Sequence, residues 1–416
     1  MTRTGLDGTD ELLRELGPRV LGALARRCRD FGAAEDAVQE ALLAAHTNWP
    51  RDGRPDNPAG WLYQTASRRL VDHFASERAR SGREQAIAGD AEWTMVHDDA
   101  REPDDELQHD ETLRLLFTCC HPALSRPSAV ALTLRAVAGL DTAAIAAAFL
   151  VPEATMAQRI SRAKQGIRDS AIAFELPAPG QRQARLAAVL HVIYLVFTEG
   201  HVATGGRTLA RVELTQEAIR LARALHRTMP DDPEVEGLLA LLLLTDARRD
   251  ARTGSRGELI PLDEQDRTRW NQAMIAEGSA LVTGAFQRGH LGAYSLQAAI
   301  ASLHAEMPSF AATDWPQILA LYDVLRRLAD NPMVELSRVV ALAMVHGPEA
   351  GLRRLDELAA DVQLQTSHRL AAVRAHLLER HGDVVAARRE YLAAAAKADN
   401  LAEREHLLAR AARLQA

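Results

Sequence analysis

The spacing of apolar residues predicts helices along most of the chain. In residues 34–45 the apolar positions recur every three or four residues, as one face of a helix requires. Asp36, Gln39 and Glu40 share the opposite face and form a short acidic and amide surface. Such a surface is either simply solvated or available to a partner. The apolar stripe consists of Ala34, Ala37, Val38, Ala41, Leu42 and Ala45.

A second amphipathic helix is predicted to begin after Asn57, with Asn57 as its cap and Pro58 in its first turn. Its inner stripe is Leu62, Ala66 and Leu70. The outer face combines an aromatic ring with arginines, a combination that suits single-stranded nucleic acid because bases stack on rings and cations follow the phosphates. Trp61 fits core packing equally well, so the arginines are the stronger candidates. The outer and flanking positions are Trp61, Gln64, Thr65, Arg68, Arg69 and Asp72.

Residues 140–168 predict two short helices joined by a tight turn. Asp141 can cap the first helix, although Ala144 leaves its capping box incomplete, and Pro152 separates the two helices. Between Thr155 and Arg168 the second helix carries cations and no carboxylate. This pattern is typical of a helix-turn-helix whose second helix enters a DNA groove, and an ordinary solvated helix pair is the alternative. The cations are Arg159, Arg162, Lys164 and Arg168.

Composition favours an all-α protein of two to four domains, since the 416 residues are 47% hydrophobic but only 4% aromatic. The net charge of −7 means that any affinity for nucleic acid must come from local patches. From Glu84 to Glu111 the chain has eleven acidic residues and one basic residue, Arg101. This stretch follows an arginine-rich segment, so it is either an acidic tether between two nucleic-acid contacts or a plain soluble spacer.

The sequence predicts a cytoplasmic protein without a membrane segment, because no apolar run approaches the roughly 18 residues of a span. No phosphate-binding loop, nucleotide fingerprint or metal-ligand spacing is present, so no cofactor and no metal are expected. Cys119 and Cys120 are adjacent and are expected in a helical core.

In their order and spacing, the AEDAVQEALLAA, NPAGWLYQTASRRLVDHF and LDTAAIAAAFLVPEATMAQRISRAK segments resemble the extracytoplasmic-function group of bacterial RNA polymerase sigma factors. The resemblance covers about residues 10–172, with the first two segments similar to sigma region 2 and the last to region 4. It implies RNA polymerase core (the β′ clamp helices and the β flap) and promoter DNA as partners. It also implies that the acidic linker follows the RNA path of the polymerase.

The resemblance assigns site residues in three groups. Those implied to bind the polymerase clamp are Asp36, Gln39 and Glu40. Those implied to lie near the −10 element are Trp61, Arg68, Arg69, Asp72 and His73. Those implied to contact the −35 element are Thr155, Gln158, Arg159, Ser161 and Arg162, with Lys164 better placed for a phosphate.

The second half of the chain predicts further helices after a boundary at Pro177–Gly180. The His346–Leu355 segment recurs as His381–Glu390 at an offset of 35, near the roughly 34-residue tetratricopeptide period. The whole chain resembles sigma factors with a fused tetratricopeptide-like extension, which implies that the extension regulates or supports transcription and offers its repeats to a regulatory protein. The predicted segments are 8–80 (region 2), 81–108 (linker), 109–174 (region 4), 180–310 (helical extension) and 311–416 (repeats).

The function expected from these features is a sigma factor that directs RNA polymerase to promoters and is not itself an enzyme. One alternative is a conventional helix-turn-helix regulator with a repeat-type sensor domain. Another is an enzyme whose active site contains Glu199 and His201. The same segment also fits an ordinary helix end, with Gly200 as its C-cap. A polar pocket is also predicted in the extension, lined by Glu258, Asp263, Glu264, Asp266 and Arg267. Glu264 or Arg267 is expected to form a structural ion pair there.

Overall fold

The computed structural model describes residues 4–28, 30–81, 105–149, 151–170, 174, 176–202, 210–255, 257–289, 291–328, 331–359, 361, 364–365 and 367–414. Over these residues the fold is all-α, which confirms the predicted class, and the one β feature is an isolated bridge between Thr253 and Leu259. The chain divides into two compact units, Met1–Ala147 with Val151–Val192, and Ile193–Ala416 with Ala148–Leu150.

The helices of the first unit are α1 (Thr4–Cys28), α2 (Phe31–Asp52), α3 (Pro58–Ser81), α4 (Asp105–Cys119), α5 (Arg126–Ala136), α6 (Thr142–Ala148), α7 (Glu153–Asp169) and the first part of α8 (Pro179–His201). The division between the units falls within α8, between Val192 and Ile193, rather than at the Pro177–Gly180 segment. Residues 82–104, most of the predicted acidic linker, lie outside the described residues.

Helices α1, α2 and α3 pack against one another, and α4 packs on α1. The α2 helix extends beyond the predicted 34–45 at both ends. It starts earlier because Asp30 caps it by accepting from the Ala33 N–H. At the start of α3, the Asn57 side chain accepts from the Gly60 N–H at 2.7 Å, as the sequence predicts. The predicted inner stripe of α3 is confirmed, since Leu62, Ala66 and Leu70 are buried.

The predicted helix-turn-helix is present as α6 and α7. Asp141 Oδ1 accepts from the Ala144 N–H at 2.6 Å and so caps α6, while the chain around Pro152 separates the two helices. A buried stripe then holds α7 against α5, which leaves the rest of its circumference outside the core. The buried stripe is Met156, Ile160, Ala163 and Ile167.

The second unit contains the end of α8 and ten further helices within the described residues. Its centre is α10, whose leucine-rich sequence is buried on almost every side by α9, α11 and α12. These helices are α9 (Val212–Thr228), α10 (Pro233–Asp246), α11 (Gln272–Arg288), α12 (Ala293–Ala305), α13 (Trp315–Leu328), α14 (Pro332–His346), α15 (Pro348–Leu358), α16 (His368–His381), α17 (Val384–Lys397) and α18 (Leu401–Arg413).

The 35-residue repeat of the sequence corresponds to two similar helical hairpins, α14–α15 and α16–α17. Each hairpin turns at a glycine in the left-handed region, Gly347 with φ of 87° and Gly382 with φ of 93°, where a side chain would be strained. The predicted boundary at 310/311 lies inside this one compact unit. Among the described helices, none is both long and apolar enough to span a bilayer.

Candidate nucleic-acid interface

The α7 helix presents a continuous polar face to solvent. Thr155, Gln158, Ser161 and Arg162 are exposed and Arg159 is half-buried, while the opposite side of the helix is in the core. The spacing of these residues by three, four and seven positions places them along one side. Arginine can bind guanine bidentately and glutamine can bind adenine in the major groove, so this face has the chemistry to read DNA.

Lys164 is in a different environment, because its side chain is only 15% exposed and lies against α2. Its Nζ is 2.5 Å from Oε2 of Glu35 and 2.9 Å from Oδ1 of Asp36. Burial alone would lower the pKa of Lys164, but the two carboxylates outweigh it and raise that pKa. The ammonium group is therefore held in its charged form by α2.

Glu35 is the centre of this contact and is fully buried. Its Oε1 accepts from Arg135 Nε at 2.9 Å, so the carboxylate is shared between a cation on α5 and a cation on α7. We call the group of Glu35, Asp36, Arg135 and Lys164 the α2–α7 clasp. Arg168, one turn after Lys164, adds a longer contact of 3.9 Å to Asp30.

Sequence reasoning missed Glu35, although a signal for it exists. Glu35 lies four residues after Phe31 and three before Val38, both of which are buried, so it occupies a position of the apolar stripe. A carboxylate at such a position requires a cationic partner, because an unpaired buried charge is very costly.

The predicted −10 residues lie along the exposed side of α3. Arg68, Asp72 and His73 are exposed. Arg69 is 54% exposed and its Nε lies 3.4 Å from Oε2 of Glu40, which is itself 57% exposed. Trp61 is half-buried and packs edge-on against Trp49, with ring centroids 5.5 Å apart, so part of its surface belongs to the core.

The predicted polymerase-binding residues on α2 therefore lie beside cations of the predicted DNA-binding helices. Asp36 is 68% exposed and pairs with Lys164 of α7, while Glu40 pairs with Arg69 of α3. Gln39 between them is half-buried. Exposed pairs such as Glu40–Arg69 contribute about 0–1 kcal/mol, so they open readily when a partner competes for either group.

The Glu199–His201 segment forms a packed helix end. His201 is half-buried, its Nδ1 lies 3.1 Å from Arg252 Nη1, and desolvation together with Arg252 and Arg248 places its pKa well below the usual range. The expectation that Gly200 caps the helix is wrong, because α8 continues to His201. Gly200 instead permits a close approach, since a Cβ there would lie 2.6 Å from the Thr215 nitrogen.

Cys119 and Cys120 are core residues, as expected from the sequence. Burial raises the pKa of the Cys120 thiol to about 12, although Arg185 and Thr133, whose Oγ1 is 3.6 Å from the sulfur, act to lower it. Both thiols are therefore protonated at neutral pH and poor nucleophiles.

Three family models match the chain. Sigma-70 region 2 matches residues 12–80 and Sigma-70, region 4 matches residues 114–165. A family of unknown function, DUF6596, matches residues 185–286. The two sigma models cover the helices that carry the predicted DNA-binding and polymerase-binding residues.

Relatives extend these matches. An uncharacterised protein of Rhizobium meliloti is 40% identical over 411 residues, covering 98% of this chain and 95% of its own. The ECF RNA polymerase sigma factor SigK of Mycobacterium ulcerans is 30% identical over 152 residues, 36% of this chain and 79% of SigK. The ECF RNA polymerase sigma factor SigF of Caulobacter vibrioides is 31% identical over 117 residues, 27% of this chain and 63% of SigF. No solved structure matches the chain.

With both sigma regions matched and most of SigK aligned, the chain belongs to the extracytoplasmic-function family of RNA polymerase sigma factors.

Proposed function

We propose that this sigma factor directs RNA polymerase core to promoters by reading the −35 element with α7 and the −10 element with α3. The observation that carries the proposal is the exposed polar face of α7 within a sigma region 4 match. Arg162 and Gln158 are the candidates for base contacts, and Arg68, Arg69 and Asp72 are the candidates on α3. The polymerase performs the chemistry, in the cytoplasm.

The exposed face of α2 is proposed to bind the β′ clamp helices through Asp36, Gln39 and Glu40, and the region 4 helices to contact the β flap. Because Asp36 and Glu40 pair with Lys164 and Arg69, binding to polymerase and DNA replaces internal ion pairs with intermolecular ones. Recognition and opening of the α2–α7 clasp are then one coupled process.

The distance between the two promoter elements supports the proposal that α7 separates from α2. Packed helices have axes about 8–10 Å apart, so α3 and α7, both packed on α2, lie on the order of 20 Å from each other. The two promoter elements are centred about 25 base pairs apart, which is about 85 Å along B-DNA at 3.4 Å per base pair. One closed unit cannot reach both elements, so α7 must leave α2 when the promoter is bound.

Run-off transcription with purified core polymerase tests the proposal. We expect a promoter-dependent transcript only when this protein is added. Arg162→Ala should lose about 1–3 kcal/mol of preference for its −35 sequence, because a bidentate base contact is removed. Arg380→Ala, an exposed arginine of the second unit, is the control and should keep that preference. Tight duplex binding without polymerase would favour the conventional regulator instead.

We infer that the second unit regulates or supports initiation, with the hairpins α14–α17 offering a surface to a regulatory protein. Truncation after Val202 tests this, because it retains all of α8, whose Leu186, Val189 and Leu190 are buried in the first unit. A change in transcript yield, up or down, reveals the sign of the regulation. An unchanged yield would contradict a role of the second unit in initiation.

A further inference from the structure

An open cavity of about 310 Å³ lies in the second unit between α14, α16 and α18. The functions discussed above use none of the residues that line it. Binding sites for small molecules have volumes of about 300–1,000 Å³. The cavity is therefore large enough for a compact solute and too small for a bulky cofactor.

The helices around the cavity are fixed by ion pairs. Glu264 accepts from Arg410 Nη1 of α18 at 3.0 Å, so the ion pair predicted for Glu264 is present. Arg410 also donates through Nη2 to Glu379 of α16 at 2.7 Å. Arg267, the other candidate for an ion pair, donates instead to the backbone carbonyl oxygen of His304. The space between α16 and α18 is thus held open by contacts that do not involve a ligand.

Most of the cavity surface is apolar, since seven of its twelve lining residues are hydrophobic. Leu336 of α14 and Leu407 of α18 are the most buried of these, at 3% and 6% exposed. Met333, Val340 and Val373 are half-buried and line the same cavity. An apolar group bound there would remove their remaining surface from water, which contributes about 25 cal/mol per Å² of apolar area. The cavity therefore suits a ligand with an apolar part.

A carboxylate also lines the cavity. Glu403 is 19% exposed, and its Oε2 lies 3.6 Å from Nε2 of His368, which is 20% exposed. Burial lowers the pKa of His368 although Glu403 acts to raise it, and burial together with Arg410 lowers the pKa of His406. Both rings are therefore mainly neutral at pH 7. Among the described residues, no arginine or lysine nitrogen lies within 4 Å of the Glu403 carboxylate, so its charge has no cation beside it.

A cation lies at the edge of the same cavity. Arg369 is exposed, and its guanidinium makes no hydrogen bond or ion pair with any residue that the structure describes. Its backbone N–H donates to Oγ of Ser367, which caps α16 and so fixes the position of Arg369 in the first turn. Arg374 on the same helix does not line the cavity and has Asp356 as its partner. The positive charge of Arg369 is thus available to a ligand.

Arg369 and Glu403 line one cavity without forming an ion pair with each other. A purely apolar ligand would cover the Glu403 carboxylate without offering it a donor, and an unpaired buried charge is very costly. A ligand with only a carboxylate would pair with Arg369 and leave Glu403 unpaired. A ligand with both an ammonium and a carboxylate satisfies both, because guanidinium N–H groups match carboxylate oxygens and Glu403 can accept from the ammonium.

We propose that this cavity binds a free amino acid with an apolar side chain. The carboxylate of the ligand contacts Arg369, its ammonium contacts Glu403, and its side chain packs on Leu336 and Leu407. Because these residues belong to α14, α16 and α18, an occupied site joins all three helices and stabilises the folded second unit. The second unit thereby responds to the concentration of the amino acid.

Binding is measured with the full chain, without DNA or polymerase, so the outcome does not depend on the proposed promoter function. Leucine, methionine and phenylalanine are each titrated by calorimetry, and thermal unfolding is followed in parallel. We expect at least one of them to bind with one site per chain and to raise Tm. Glycine, which lacks the apolar side chain, should bind at least tenfold more weakly. Absence of binding by all three apolar amino acids would overturn the proposal.

Two analogues of the amino acid that binds test the two charges of the site. Its amide lacks the carboxylate and its deamino acid lacks the ammonium, so each should bind the unmodified chain at least tenfold more weakly. Arg369→Met should weaken binding of the amino acid at least tenfold and should no longer distinguish it from the amide. Glu403→Gln should weaken binding likewise and should no longer distinguish it from the deamino acid. In each case the variant and the analogue remove the same contact, so their effects should not add.

Arg380→Met and Glu405→Gln are the matched controls, because both residues are exposed on α16 and α18 and neither lines the cavity. Both controls should bind the amino acid like the unmodified chain. If Arg369→Met and Glu403→Gln bind as the controls do, this cavity is not the site and the proposal is wrong. Weaker binding with unchanged preferences between the amino acid and its analogues would also overturn it, because the two side chains would then affect only the shape of the cavity.

Discussion

Replacing Lys164 with methionine tests the α2–α7 clasp. Methionine keeps most of the length of the side chain and removes its charge, so fully buried Glu35 loses one of its two cations. Breaking a buried ion pair by removing one partner costs about 3–5 kcal/mol. Arg135 still neutralises one oxygen of Glu35, so we expect the lower end, about 3 kcal/mol.

Hydrogen exchange of the full chain, followed by mass spectrometry, reports this loss locally. Amides of α2 and α7 should lose protection in Lys164→Met, while those of α10 in the second unit should not change. Asp36→Asn is the control, because Asp36 is mostly exposed and its pair with Lys164 should contribute less than about 1 kcal/mol. If both variants exchange alike, the buried carboxylate does not hold α7 in place.

Lys164→Met destabilises the closed first unit, but we expect it to strengthen polymerase binding. If α7 must leave α2 before the core binds, destabilising the closed form by about 3 kcal/mol tightens core binding by up to about 100-fold. The measurement is made in the absence of DNA, by titrating fluorescently labelled protein with core. Unchanged affinity there, with weaker promoter binding only, would show that Lys164 serves DNA phosphates and that the closed form does not oppose polymerase.

Three further perturbations check separate parts of the structure. Asp36→Arg combined with Glu40→Arg should reduce capture of core polymerase in a pull-down, since both exposed carboxylates become cations; undiminished capture would contradict the docking role of α2. Gly200→Ala should lower Tm and reduce the free energy of unfolding by about 1–3 kcal/mol, because the new Cβ meets the backbone of Thr215. An unchanged Tm would show that α8 and α9 can move apart without loss of stability. Cys120 should resist iodoacetamide at pH 8 in the native chain and react in urea, because its pKa of about 12 leaves little thiolate; rapid native alkylation would disprove its burial.

The features that sequence reasoning predicted are local. The Asn57 cap, the inner stripe from Leu62 to Leu70 and the Asp141 cap each depend on residues within one or two helical turns. The repeated hairpins also follow from a local rule, since a glycine after each first helix permits the turn. Helical periodicity and capping chemistry are sufficient for such elements.

The features that it missed depend on residues far apart in the chain. Glu35 meets Arg135 and Lys164 across separations of 100 and 129 residues, which no periodicity reveals. The close approach of α9 to Gly200 is also a contact that the local sequence does not reveal. The contact of Arg267 with the backbone carbonyl of His304 likewise joins residues 37 positions apart.

The hairpins of the second unit are joined mainly by contacts between consecutive helices, from α14 through α18. The last helix nevertheless returns to an early part of the same unit, because Arg410 of α18 contacts Glu264 at 3.0 Å, 146 residues before it. Adding or removing one hairpin would shift α18 and separate this pair, so the number of hairpins is tied to the position of the Glu264 segment.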